Sequence, residues 1–286
     1  MASATIKVPA TTANLGPGYD CMGIALQLYN EVTVNKVPPA EAPESAGAMA
    51  EEAAEAYFKK SKKKPFSFCW KIEGEVPRSR GLGSSVTVRL GLLHGLNELS
   101  GSPLDRESIF DLCVELEGHP DNAAPAAFGG FTLSAPGAAL QRYRVGPSLE
   151  FVLLIPGFEV LTSNARKVLP KKVPFADAVF SAAHAAAVAG AFASRDYARL
   201  RGTFGDRLHQ PSRSKLVPFL SDVVEAGVRA GALGGWLSGS GSTVACATMG
   251  SPEKVAAAML SACSLQHASV VTARADNTGV RIRSSK

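Results

Sequence analysis

Apolar positions recur along this chain with two different periods, and the switches between them mark its elements. In "FSFCWKI" at 66–72 the side chains of Phe66, Phe68, Trp70 and Ile72 share one face, the alternation of a half-buried strand. "LQLYNEVTV" at 26–34 is rich in β-branched and aromatic residues and reads as a second strand. The opening "TIKVPATTANLGPGYD" runs from a short strand into a Gly/Pro/Asn turn, and "FGGFTL" is strand-like. "FVLLIPG" at 151–157 is a short continuous apolar run, as expected of a fully buried strand.

Elsewhere the period is helical. After residue 84 the positions Val86, Leu90, Leu93 and Leu96, with Leu92 and Leu99 beside them, form an apolar stripe that stops at "SGSP". A helix over about 105–117 buries Ile109, Leu112, Cys113 and Leu116 and ends in the polar "EGHPDN". Further helices are expected in the acidic, alanine-rich "MAEEAAEAYF", between 176 and 201, and near 252–262. "PPAEAPESAG" at 38–47 is a connector, and "GGWLSGSGSTVACA" at 234–247 is a glycine-rich turn feeding a strand. Paired strands are expected in "SVVTARADNTGVRIR". A strand-rich first half and a mixed second half predict two α+β lobes, residues 1–148 and 149–286, a division that 286 residues can support.

Composition narrows the class. Hydrophobic residues make up 46% and charged residues 19%, which is globular rather than disordered. No apolar run in the sequence approaches a membrane span, and "MASATIKVPATT" lacks the apolar core of a signal peptide, so no membrane partner is expected. Five scattered cysteines (Cys21, Cys69, Cys113, Cys246, Cys263) are odd in number and never in CxxC spacing. They predict free thiols in a reducing cytoplasm rather than a disulfide framework or zinc site. The net charge is +5, and the densest basic run, "KKSKKK" at 59–64, follows an acidic helix without interleaved aromatics. It reads as a solvated helix end, so no nucleic-acid partner is expected.

The chemistry concentrates in "PRSRGLGSSVTVRLG" at 77–91. Gly81 and Gly83 allow positive φ and close backbone approach. Ser84 or Ser85 is placed to cap the following helix, whose free N–H groups and dipole favour an anion, above all phosphate. It is neither a P-loop nor a dinucleotide fingerprint: the sequence has no Gly-Lys pair, and Val86 stands where GxGxxG needs its third glycine.

Pro77-x-x-x-Gly81-Leu82-Gly83-Ser84-Ser85 resembles the PxxxGLGSSxx signature of the GHMP kinases. "VPATTANLGPGYD" at 8–20, "EGHPDNAAPAAFGG" at 117–130 and "LSGSGSTV" at 237–244 resemble further motifs of that family, in the order and form of its homoserine kinases. The resemblance implies a two-lobed GHMP fold, an N-terminal ATP-binding α/β lobe with a C-terminal ferredoxin-like α+β lobe. It also implies transfer of the γ-phosphate of ATP to L-homoserine, on the way to threonine. ATP would lie against Pro77, Gly81 to Ser85, Gly239 and Gly241, with Mg²⁺ on Ser84 or Ser85 and Glu117. Homoserine would be held by Asn14, Asp20, His119, Asn122, Thr162, Arg166 and Arg213, of which Asp20, Asn122 and Arg213 stand nearest the chemistry. Small-molecule partners and, because the family is often dimeric, a homodimer follow from the same resemblance. Arginine forks suit a carboxylate and an aspartate suits an ammonium. An aspartate so engaged is a poor proton acceptor, so direct in-line attack by the hydroxyl is expected. The alternatives are a family kinase for another small alcohol, of mevalonate or shikimate type, and a non-catalytic ligand sensor. The chain departs from the usual motifs at Val86-Thr87 and at Ser242, where proline is common and a looser turn is expected. It also has a short step from Glu117 to Asn122.

Overall fold

The computed structural model describes residues 2–285. Two sheets organise the chain, and every described strand pair is antiparallel. The first is built on the long strands β1 (Ser3–Ala13) and β2 (Met22–Lys36), joined by the "NLGPGYD" turn. Strand β3 (Phe68–Gly74) pairs with the far half of β2, and β4 (Phe131–Leu133) and β5 (Gln141–Tyr143) extend the near half. A register shift between Pro9 and Ala10 bends this sheet. Val32 and Val34 accordingly pack beneath helices, whereas Ile24 and Leu26 face the second lobe.

The helices α1 (Ala48–Ser61), α2 (Ser84–Leu99), α3 (Arg106–Glu117) and α4 (Ala123–Phe128) cover one side of that sheet. The predicted stripe on α2 is buried as expected, with Val86, Leu90, Leu93 and Leu96 fully enclosed. Val86 therefore fills the helix–sheet contact. A β-carbon at Gly91 or Gly95 would lie 2.5 Å from Val32 or Val34 atoms, so the two glycines let α2 sit close on β2. Asp105 caps α3 by accepting from the Ser108 amide, and Gly118 ends it in a left-handed turn.

The second sheet begins with β6 (Glu150–Pro156), next to the expected boundary at 148. It continues through β7 (Gly234–Leu237), β8 (Val244–Thr248) and β9 (Ala268–Arg274), in the spatial order β7-β8-β6-β9. With helices between β6 and β7 and between β8 and β9, this is the ferredoxin-like βαββαβ arrangement. Strand β6 is buried on both faces, as its apolar run predicts. Phe151 and Leu153 join the core between the lobes with Trp236 and Phe131, and Val152 and Leu154 join a core under α8 (Leu220–Arg229) and α9 (Pro252–Ala262). The short helices α5 (Thr162–Lys167) and α7 (Gln210–Arg213) flank the cleft between the lobes.

Two expectations change. The strands of "SVVTARADNTGVRIR" do not pair with each other: β9 pairs with β6, while β10 (Arg281–Ser285) crosses back to pair with β1 in the first sheet. Asp276, between them, bonds the Thr278 and Gly279 amides and the Tyr29 hydroxyl, and it pairs with Arg281, which fixes the crossing. The alanine-rich region contains α6 (Phe175–Ser194), a helix long and apolar enough by length and composition to cross a membrane. A helix was expected there, but not one of that apolar length, because alanine is only mildly apolar at each position. Val188, Ala191 and Phe192 hold it on the core between the lobes.

Candidate active site

The cleft is floored by the loop ahead of α2. Gly81 and Gly83 have φ of +75° and +70°, and a β-carbon on Gly81 would lie 2.1 Å from the Ser238 carbonyl oxygen. Neither serine caps the helix: Gly83 is the cap residue, and Ser84 and Ser85 lie in the first turn. Their hydroxyls are thereby turned to other partners. Ser84 Oγ accepts from the Ser79 amide at 3.2 Å, and Ser85 Oγ donates to Glu117 Oε2 at 2.9 Å.

The second lobe staples this loop in place. Ser238 Oγ donates to the Gly81 carbonyl at 2.7 Å, and the Thr243 amide donates to the Arg80 carbonyl. Arg80 reaches back to the Pro156 and Gly157 carbonyls. The expected looseness at Ser242 is absent, because its buried hydroxyl donates to the Phe158 carbonyl at 2.7 Å.

A cavity of about 160 Å³ opens above the loop. Along its walls stand Gly81, Gly83, Ser84, Ser85, Glu117 and Gly239 from the expected phosphate and metal set. Asn14, Asp20, His119, Asn122, Thr162, Arg166 and Arg213 of the expected acceptor set line it too. Three expected residues stand off it. Leu82 is fully buried in the core and offers the fold its carbonyl, which accepts from the Thr11 amide; Pro77 and Gly241 do not line the cavity. A second cavity, of about 530 Å³, shares Ser79, Ser84 and Ser85 and has the apolar lining of Met49, Trp70, Val76 and Val88. Only Val88 of that wall belongs to the quoted loop stretch; Trp70 comes from β3, Met49 from α1 and Val76 from the link between β3 and the loop.

Glu117 supplies the donor chemistry a divalent ion wants. Its side chain is 9% exposed, and Oε1 lies 3.3 Å from Arg89 Nε without making a hydrogen bond. A buried carboxylate oxygen lacking a partner, next to a serine hydroxyl, fits a hard cation. Burial pushes the Glu117 carboxyl pKa up, opposed by Arg89 and Ser85.

At the opposite wall the side chains hold one another. Arg166 donates to both oxygens of Asp20 at 2.9–3.0 Å. Burial lowers the Arg166 pKa, but Asp20 and Tyr19 outweigh it and hold it up. Asn14 is a tie as well as a wall residue: Oδ1 accepts from the Asp20 amide and Nδ2 donates to the Gly239 carbonyl, linking both lobes. Arg213, 2% exposed, is fixed by the Ala165 and Gly239 carbonyls, and burial pulls its pKa down. Thr11 donates to Asn122 Oδ1 at 2.7 Å, which leaves the Asn122 amide NH₂ for the cleft. Thr162 Oγ1 is 3.4 Å from Ser240 Oγ.

His119 bonds Asp121 through Nδ1. Burial lowers the His119 pKa, but the Asp121 bond and charge outweigh it, and the net shift is upward. Asp121, Tyr19, Ser79 and Ser240 were not anticipated. Asp121 was legible in "GHPDN", where it passes for a turn residue; Tyr19 carried no signal of its own.

Comparison with known proteins follows the same lines. Residues 48–130 match the GHMP kinases N terminal domain, and residues 188–265 match the GHMP kinases C terminal domain. The chain is 38% identical over 275 residues to the homoserine kinase of Halothermothrix orenii, covering 90% of this chain and 88% of that one. It is 41% identical over 255 residues to that of Gloeobacter violaceus, covering 84% and 85%. A crystal structure of homoserine kinase from Cytophaga hutchinsonii superposes with a TM-score of 0.86 at 24% identity, covering 98% of this chain and 97% of that one.

Proposed function

The chain belongs to the GHMP kinase family, and from that premise we propose that it phosphorylates L-homoserine with ATP, giving O-phospho-L-homoserine and ADP. One observation carries the reading: a phosphate-type helix start and an Asp/Arg/Arg constellation face each other across a single cavity. Homoserine is a zwitterion with a hydroxyl. Its ammonium suits Asp20 and its carboxylate suits Arg166 and Arg213, so its charges replace the partners that Asp20 and Arg166 give each other. Mevalonate and shikimate bring a carboxylate but no ammonium, and would leave Asp20 without that replacement.

On the donor side, the backbone amides of Gly81 to Ser85 and the α2 N-terminus receive the phosphates of ATP. The apolar cavity at Trp70, Met49 and Val88 takes the nucleoside. Ser85 and Glu117, already in contact, would hold Mg²⁺, which when bound neutralises phosphate charge. Ser84, tied to the Ser79 amide, is the less direct donor.

The acceptor hydroxyl lies near the Asn122 amide and His119 and attacks the γ-phosphorus in line. Asp20 neutralises the ammonium rather than taking the proton. Five free cysteines support placing this activity in a reducing cytoplasm, and in this reading the product feeds the route to threonine.

The test is a coupled ADP-release assay with Mg·ATP and L-homoserine beside mevalonate, shikimate and L-serine. Homoserine-dependent turnover is expected, and at subsaturating homoserine it should fall about a hundredfold in Arg213→Ala. ATP binding without turnover on homoserine would overturn the acceptor. Asp20→Asn with homoserine affinity kept and turnover erased would make Asp20 a base.

A further inference from the structure

Two guanidinium groups, those of Arg166 and Arg213, face one cavity, and like charges on one wall repel unless something beside them offsets the repulsion. The ring of Tyr19 stands beside both. Its ring centroid is 5.1 Å from the Arg213 guanidinium carbon and 5.7 Å from that of Arg166, so both cations lie against one aromatic face system. Its hydroxyl accepts from Arg166 Nη1 at 3.0 Å. Behind it, the imidazole of His209 packs at 5.1 Å between centroids, and His209 Nε2 is bonded to the Gly16 carbonyl. The ring is therefore fixed by the same turn that carries Asp20. Tyr19 does not line the cavity above the phosphate loop; it stands behind the arginines and lines a separate cavity with Cys21, Phe110 and Pro120.

We infer that Tyr19 is a positioning residue for substrate recognition, presetting the two arginines as one carboxylate clamp. The inference rests on the homoserine reading given above. Asp20 also holds Arg166, but that bond is given up as Asp20 turns to the substrate ammonium. The Tyr19 hydroxyl is then the remaining side-chain acceptor on Arg166, and the ring is the surface that keeps Arg166 and Arg213 side by side. The two parts of the side chain act separately: the hydroxyl sets the Arg166 rotamer, and the ring sets the spacing of the pair. Neither touches the phosphates, so the effect belongs to acceptor affinity and not to the transfer step.

The experiment is steady-state ADP release for wild type, Tyr19→Phe and Tyr19→Leu, titrating L-homoserine at saturating Mg·ATP and then Mg·ATP at saturating homoserine. Loss of the hydroxyl alone should raise KM for homoserine about fivefold, and loss of the ring as well about fiftyfold. In both variants kcat and KM for ATP should stay within about threefold of wild type, the pattern of lost uniform binding. Recovery of most of the affinity from Leu to Phe marks the ring contribution. Unmoved homoserine KM in both variants, or kcat and ATP KM deteriorating together, overturns the role of Tyr19. If Tyr19→Leu does not fold, Tyr19→Phe still decides through its hydroxyl. Wild type that does not turn over homoserine overturns the acceptor reading and this role with it. Active wild type with unmoved variants overturns the role of Tyr19 alone.

Discussion

The two ends of the cleft are made of different materials. The phosphate end is backbone: a glycine turn, a helix start and carbonyls latched by Ser238 and Thr243. The acceptor end is side chain: Asp20, His119 with Asn122, Arg166 and Arg213 arrive from four separate segments, Asp20 and Arg166 holding each other and the rest held by neighbouring side chains and carbonyls. Backbone geometry tolerates no β-carbon, whereas a side-chain cluster can lose one member and keep its shape. The first kind of site should fail abruptly when touched and the second by degrees.

The sharpest way to break that contrast is Gly81→Ala. Its methyl would sit 2.1 Å from the Ser238 carbonyl at φ +75°, so the loop and the lobe contact must both shift. We expect ATP binding to vanish in calorimetry, and chemical denaturation to show a loss of about 3 kcal/mol. A variant that still bound ATP at wild-type affinity would show that the loop is more plastic than its contacts allow.

Next come the two arginines, which divide the acceptor end itself. Arg166→Ala and Arg213→Ala should each weaken homoserine binding about a hundredfold while leaving ATP binding intact. They should differ in stability. Arg166 has a side chain 38% exposed, and its removal should cost the fold little. Arg213 is buried on two carbonyls, and its loss should lower stability by about 2 kcal/mol. Equal denaturation midpoints would erase this distinction.

The ends also separate by pH, because the helix behind the phosphate loop carries His94. Burial, with help from Arg106, lowers its pKa to about 4, well below the ordinary imidazole value. A folded imidazole pKa below its unfolded value gives stability that is present above the unfolded pKa. That stability drains as pH falls from about 6.5 towards 4, by about 3 kcal/mol. Denaturation curves between these pH values should show the loss, and His94→Leu should flatten it. A wild-type profile already flat across that window would mean that His94 is hydrated.

The smallest effect is expected at Ser242. Replacing it with alanine removes one hydroxyl bond to the Phe158 carbonyl and should cost about 1 kcal/mol without changing either KM. A larger change in ATP KM would make this turn part of the phosphate end proper.

The same contrast explains what could be read from the sequence. Backbone sites announce themselves, because positive φ and close approach leave glycines at fixed spacing, as at Gly81 and Gly83. The α2 stripe and the buried β6 were legible for a similar reason: a period or an unbroken apolar run is a local signal. Asp20 and Arg166 were both expected at the site. That they hold each other was not, since a pairing across 146 residues leaves no trace in spacing. Tyr19 and Asp121 passed as turn residues, and the apolar wall at Trp70 belongs to a strand whose alternation said only that one face is covered. The crossing of β10 was missed for the same reason: a strand shows its own period but not its partner.

That crossing bears on how the protein is made. Residues 281–285 lie beyond the whole second sheet in the chain, yet they complete the edge of the first by pairing with β1. During synthesis the first lobe must therefore wait, with one edge of β1 bare, until the second lobe has left the ribosome. Cutting the chain at 148 would strand that edge permanently, so the lobes are separable as shapes but not as independently finished folding units.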